Sequence, residues 1–234
     1  MWLLRRIRWA RMFIGHLALG FAAKRVTPQV SLGMLMLAAQ WADTLWPPFL
    51  ALGIEEVRID PGNTAVTPLD FVSYPYSHSL AMLVAWGIVV GIAYRSIAGG
   101  RRSFWILCGL VVSHWVLDYI THRPDMPLYP GGAKYGLGLW NSVPATVALE
   151  VLMYAAGLWI YMTTTRARTA AGKWGIVSLA AFLMVAYLAN IFGGPPPSVS
   201  AIWTIGIVGA VVLTLWAWWA DRHRAIASAR NGRG

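Results

Sequence analysis

Residues 103–121 read SFWILCGLVVSHWVLDYIT, and the fold turns on them. These nineteen residues carry one formal charge, Asp118, and a helix of about 20 apolar residues rising ~1.5 Å each crosses the hydrocarbon core of a bilayer. The run is not isolated. Similar stretches fall at 31–49, 78–94, 143–162, 174–192 and 199–220, and a shorter one at 12–23 lies between Arg11 and Lys24. Over the 234 residues 58% of side chains are apolar and 12% charged, about half the charge of a soluble domain. The sequence therefore predicts an all-α, polytopic integral membrane bundle of six full spans plus a short first helix. It forms one transmembrane domain over 1–234, with polar motifs in 12–150 and two plainer spans in 172–220.

Prolines mark the expected helix ends: Pro28, Pro47 with Pro48, Pro124 and the run 193–197, since proline has no amide donor and disfavours helix in the preceding residue. The basic residues alternate between loops. Lys24 and Arg25, then Arg95, Arg101 and Arg102, then Arg166, Arg168 and Lys173, then Arg222, Arg224, Arg230 and Arg233 form one set. The other loops hold Arg58, Arg123 and Lys134 among Glu55, Glu56, Asp60, Asp70 and Asp125. The positive-inside bias makes the first set and the C-terminus cytoplasmic and turns loops 50–77 and 122–142 outward. Arg5, Arg6, Arg8 and Arg11 also favour the inside, which conflicts with a spanning first helix. A secretory signal is the alternative for the first 23 residues.

The net charge of +10 is spread over loops, so it gives no nucleic-acid signal; the expected partners are membrane lipid, with the basic tail on anionic headgroups, and an amphipathic substrate. Oligomeric state is not legible. Trp46, Trp105, Trp140, Trp216, Trp218 and Trp219 stand near span ends, the headgroup level where indole rings collect. The single cysteine, Cys108, excludes an intrachain disulfide.

The informative residues are ionisable ones inside apolar spans: His16, Asp43, His78, His114, Asp118 and Glu150, with His122 just past a helix end. A carboxylate at bilayer depth costs about 2.5–3.5 kcal/mol on insertion scales, so such groups face the bundle interior and pair. His114 and Asp118 are four apart, one turn along one helix face. His78 opens a span at the outward end, where Asp118 lies. Asp43, about 18 Å from the start of its span, and His16, about 17 Å from the turn near Thr27, reach the same layer. Two or three imidazoles and two carboxylates suit a divalent transition metal, zinc first, with manganese or iron as alternatives. Such an ion keeps the carboxylates ionised and supplies a nucleophile by lowering the pKa of bound water to about 7. His114, Asp118 and Glu150 are the candidates for catalysis.

Gly15-His16, Ala42-Asp43, Tyr76-Ser77-His78-Ser79-Leu80, Ser113-His114-Trp115-Val116-Leu117-Asp118-Tyr119-Ile120-Thr121 and Met126-Pro127-Leu128-Tyr129-Pro130, in this order, resemble the YdjM-like family of inner-membrane metal-dependent hydrolases over roughly residues 12–150. The resemblance implies metal ligands at His16, Asp43, His78, His114 and Asp118. Leu45 and Trp46 stand where the family pattern has Asp and His, and Ser73 and Tyr74 where it has His and Arg, which leaves the number of metals open. The ligand order is also similar to that of zinc-dependent phospholipases C, implying a phosphoester substrate.

Two rival functions use the same residues. A transporter would employ them as an ion or proton relay and would continue the row of acids and histidines toward the cytoplasm; the spans 174–192 and 199–220 contain neither. A structural membrane protein would keep them only as interhelical hydrogen bonds.

Overall fold

The computed structural model describes residues 14–227. The basic N-terminal cluster, the signal-peptide reading and Arg230 and Arg233 lie outside that range. A short apolar helix, α1 (Ile14–Ala23), is followed by α2 (Leu32–Ala39) and α3 (Trp41–Ala51). A hairpin, β1 (Glu56–Ile59) with β2 (Leu69–Ser73), leads to the four-residue α4 (Pro75–His78). The long helices α5 (Leu80–Ala98) and α6 (Arg101–Thr121) come next. A second hairpin, β3 (Met126–Pro127) with β4 (Lys134–Tyr135), precedes α7 (Val143–Thr164). Strand β5 (Thr165–Ala167), α8 (Ala170–Phe192), α9 (Val199–Arg222) and β6 (Arg224–Ile226) complete the order, with β6 antiparallel to β5.

Among the described residues five helices are long and apolar enough to cross a membrane: α5, α6, α7, α8 and α9. The expectation of six full spans is corrected at 31–49, which is broken at Gln40 into α2 and α3. Ser31 opens the first piece by accepting the Met34 N–H, the usual N-cap arrangement. Pro47 and Pro48 sit inside α3 rather than at its end. Both lack the N–H that would bond four residues back, a loss tolerated in membranes where neighbouring helices cover the freed carbonyls. α2 and α3 still run the length of the bundle along α9: Gly33 meets Thr214 and Trp218, and Gly206 at the other end meets Pro47. The described chain is also not purely helical, because loops 50–77 and 122–142 fold into small antiparallel hairpins.

Two helices approach closely where a side chain is missing. A Cβ on Gly157 of α7 would fall on the Ala18 carbonyl of α1, as expected where membrane helices pack through small residues. Gly15, Ala18 and Phe21 of α1 thereby lie along α7 beside Glu150, Gly157 and Tyr161 in turn. The outer faces of α5, α8 and α9 expose Ile92, Val185, Phe192, Ile205 and Leu215, the surface a lipid phase covers.

The two ends of the bundle differ in kind. At one end Lys24, Asp221 and Arg224 are buried together. The tail reading is thereby corrected for Arg224, which lies inward with Nε on Thr165 Oγ1 and Nη1 on the Gly172 carbonyl. At the other end the two hairpins and α4 surround His16, Asp43, His78, Asp118 and His122.

Candidate metal centre

Asp118, near the C-terminal end of α6, is the hub. Its Oδ1 lies 3.1 Å from His16 Nε2, and its Oδ2 lies 3.2 Å from His114 Nε2 and 3.9 Å from both His78 Nε2 and His122 Nε2. Asp43 completes the ring at 3.6 Å from His78 Nε2 and 4.0 Å from His114 Nε2. The five predicted ligands therefore meet. Two sets have ligand atoms within 4.8 Å of one another, His16 with His114 and Asp118, and Asp43 with His78 and His114. They share His114 and read as one pocket. The side chain of Asp43 keeps 27% of its exposure, while the histidines and Asp118 are buried, so Asp43 stands at the rim.

The break in the 31–51 segment explains part of this geometry. Ala39, the last residue of α2, presents its carbonyl to His114 Nδ1 at 3.0 Å. A carbonyl only accepts, so Nδ1 carries the proton and a neutral His114 turns a bare Nε2 lone pair to the pocket. The break also starts a new helix just before Asp43, placing its carboxylate in the first turn of α3, where the helix dipole favours negative charge. His78 is not on the span that follows it. It ends α4, and Ser79 caps α5 by accepting the Met82 N–H.

The pocket's chemistry can be read from its donors. His114 Nε2 is buried without a hydrogen-bond partner, as is His16 Nδ1. His114 Nε2, with the proton on Nδ1, turns a lone pair toward Asp118 Oδ2 at 3.2 Å, whereas His16 Nε2 is hydrogen-bonded to Asp118 Oδ1 at 3.1 Å. His16 and His114 stack face to face with ring centroids 3.8 Å apart and planes within 3°, a separation at which two imidazolium rings would repel, so at most one of the pair carries an added proton. A divalent metal fits this mixed nitrogen and oxygen set.

In the sequence His122 reads only as a histidine just past a helix end. Its Nδ1 lies 2.9 Å from Asp125 Oδ1, and its ring packs on Trp140 with centroids 4.0 Å apart. Asp125 also accepts the Tyr74 hydroxyl at 2.9 Å and Arg123 Nε at 3.1 Å. Burial alone would raise the Asp125 carboxyl, but the hydrogen bond and charge of His122, with Tyr74 and Arg123, bring it below the ordinary carboxylate value. The Tyr74 phenol is pushed well above its usual value by burial and by the Asp125 charge. Arg123 reaches on to Asp70 and Asn63 of the first hairpin. A sequence signal for this dyad existed in the spacing His122-Arg-Pro-Asp125, since three residues across a turn bring a carboxylate under an imidazole.

Glu150 is fully buried on α7, and its Oε2 faces the Gly15 N–H at 3.4 Å. It sits beside the backbone that carries His16, outside both ligand sets. Trp46 and Trp140, expected at the headgroup level, are buried at 1% and 2% exposure and wall the pocket, whereas Trp105, Trp218 and Trp219 are exposed.

No curated protein and no solved structure matches the chain. A family model does match, beginning beyond His16 and Asp43 and running on through α8, further than the motifs in 12–150 suggest. Of the five converging residues, His78, His114 and Asp118 lie inside the matched span, and His16 and Asp43 lie before it. The matched model, that of the YdjM inner membrane proteins, spans residues 59–195, more than half of the chain, and the chain belongs to that family.

Proposed function

We propose that the protein is a membrane-embedded, metal-dependent hydrolase acting on a phosphoester of an amphipathic or lipid-linked substrate near the outer surface of the inner membrane. The observation that carries the reading is the set of imidazole nitrogens and carboxylate oxygens converging around Asp118. His16, Asp43, His78, His114 and Asp118 would hold the ion, with zinc the first choice. When bound, it polarises a phosphoryl or carbonyl oxygen and makes water nucleophilic at neutral pH.

The residues of this chain supply the rest. Hydrolysis adds water across the P–O bond, its oxygen to phosphorus and its proton to the leaving oxygen. His122 Nε2, held in place through Nδ1 by Asp125, is the atom proposed to carry that proton. A base oriented by a carboxylate is the general pattern for such transfers. Glu150 is the second acid–base candidate, placed behind His16. Trp46, Trp140 and Phe71 exclude bulk water from the floor, and the partly exposed Asp43 marks the way in. A transporter is less well supported, because α8 and α9 bring no acid or histidine to the bundle before Asp221, which is already paired with Lys24.

The test is metal analysis of detergent-purified wild type beside an Asp118→Asn, His114→Ala double variant, with phosphate release from phosphoester lipids in mixed micelles. The expected result is about one transition metal per wild-type chain, none in the variant, and release that chelation abolishes. Equal metal content in the two proteins would reject the ligand assignment.

A further inference from the structure

Glu55, in the turn between α3 and β1, is buried to 4% exposure although it lies in an outer loop. Its oxygens are committed to one short stretch. Oε1 accepts the N–H groups of Tyr76 and Ser77 at 2.8 and 2.9 Å, and Oε2 accepts the Ser77 hydroxyl at 2.6 Å. Ser77 Oγ in turn lies 2.7 Å from His78 Nδ1. Ser77 and His78 are themselves buried.

Counting protons along this row fixes the imidazole. A serine hydroxyl has one hydrogen, and a carboxylate oxygen 2.6 Å away claims it. Ser77 Oγ can then only accept from its other neighbour, so His78 Nδ1 must be the N–H. The bare Nε2 lone pair is thereby turned toward Asp43 and Asp118. The opposite arrangement, with Ser77 donating to His78, would leave Oγ and Oε2 as two acceptors in contact with no hydrogen between them.

We propose that Ser77 and Glu55 are positioning residues of the metal centre, which select the His78 tautomer able to offer Nε2 as a ligand. This rests on the metal-site reading above. It extends the working unit to Glu55, outside the span 59–195 of the family match. Outer partners of metal-binding histidines generally act this way, and their loss weakens metal binding 10–100-fold. Glu55→Gln is the sharpest variant. The amide is nearly isosteric but can turn an NH₂ toward Ser77, which then sends its own hydrogen to His78 Nδ1 and moves the imidazole proton to Nε2, against the centre.

Two measurements on full-length detergent-purified protein test the proposal. ¹⁵N-histidine NMR of the metal-free protein should show His78 as the Nδ1–H tautomer in wild type and as Nε2–H in Glu55→Gln. Cobalt(II) titration should show 10–100-fold weaker binding and an altered visible spectrum in Glu55→Gln and Ser77→Ala, with Ser77→Thr restoring both. A wild-type His78 found as Nε2–H, or cobalt affinities and spectra unchanged in Glu55→Gln and Ser77→Ala, would overturn the relay while leaving the metal site standing. A wild type that binds no cobalt would remove the metal reading itself, and this inference with it. Ser77→Thr keeps the hydroxyl, so its recovery separates a lost relay from damage to α4.

Discussion

Two buried carboxylates at opposite ends of the bundle have opposite surroundings. Asp221, at the end of α9, is satisfied by the protein itself. The Lys24 ammonium lies 2.6 Å from Oδ2, the Leu32 N–H donates to the same oxygen at 3.0 Å, and the Tyr161 hydroxyl donates to Oδ1 at 2.8 Å. Asp118 has four imidazoles around it and, among the described residues, no lysine or arginine within ion-pair distance. One cluster arrives with its counter-charge built in and acts as a latch joining the α1–α2 turn to the C-terminal helix. The other gathers imidazoles and carboxylates around one point, a set that could hold a metal ion. Burial alone does not distinguish a functional acid from a structural one; the donor count beside it does.

Substitutions at the two ends should therefore fail differently. The largest effect is expected at the acceptor-rich end, where Asp118→Asn should strip nearly all metal from protein that still elutes as a folded species, read by elemental analysis after gel filtration. Next comes Lys24→Met. Removing one partner of a buried pair leaves the other charge uncompensated, at about 3–5 kcal/mol. Denaturant titration in detergent should show that loss, and the metal content of the surviving folded fraction should be unchanged. If Lys24→Met instead emptied the site, the two ends would not be separate devices.

A smaller effect is expected from Asp125. Its carboxyl is held below its ordinary value in the folded chain, so it stabilises the fold above the unfolded-state pKa of about 3.9, and the contribution is lost as pH falls through and below that value. Asp125→Asn should flatten the acid limb of a stability–pH profile relative to wild type. The smallest effect belongs to the exposed Glu56–Arg58 pair. Arg58→Ala should change stability by about 0.5 kcal/mol or less, a control showing that charge removal in the outer hairpin is not in itself harmful.

Hydropathy made the five long helices legible, because a span must satisfy its backbone internally and shed charge, and α6 to α9 match their expected limits closely. The ionisable residues were legible for the same reason, since an acid such as Asp118 cannot remain at depth without partners. The break at Gln40 was not, for glutamine is neither a proline nor a glycine and both flanking pieces are equally apolar. Pro47 and Pro48 read as a terminus because a helix containing them has to be supported by its neighbours. Lys24 and Arg224 read as loop charges, and their burial depends on Asp221, 197 positions from Lys24, and on Thr165 and Gly172, 59 and 52 positions from Arg224, which no local pattern carries. Glu55 and Asp125 were hidden by their company, as acids among many in outward loops. Only the fold shows which of them turn inward.

The acceptor that orients His114 is a main-chain carbonyl. Every amino acid at position 39 would bring the same oxygen, so no point substitution there deletes the contact outright, unlike Ser77 or Asp125. The vulnerability lies instead in chain length. Deleting one residue between Ala39 and Asp43 would rotate everything downstream by about 100° about the helix axis, swinging the carboxylate away from the pocket while leaving the composition almost untouched. Random mutagenesis that samples only replacements would miss this hinge, and a scan of single-codon deletions would find it.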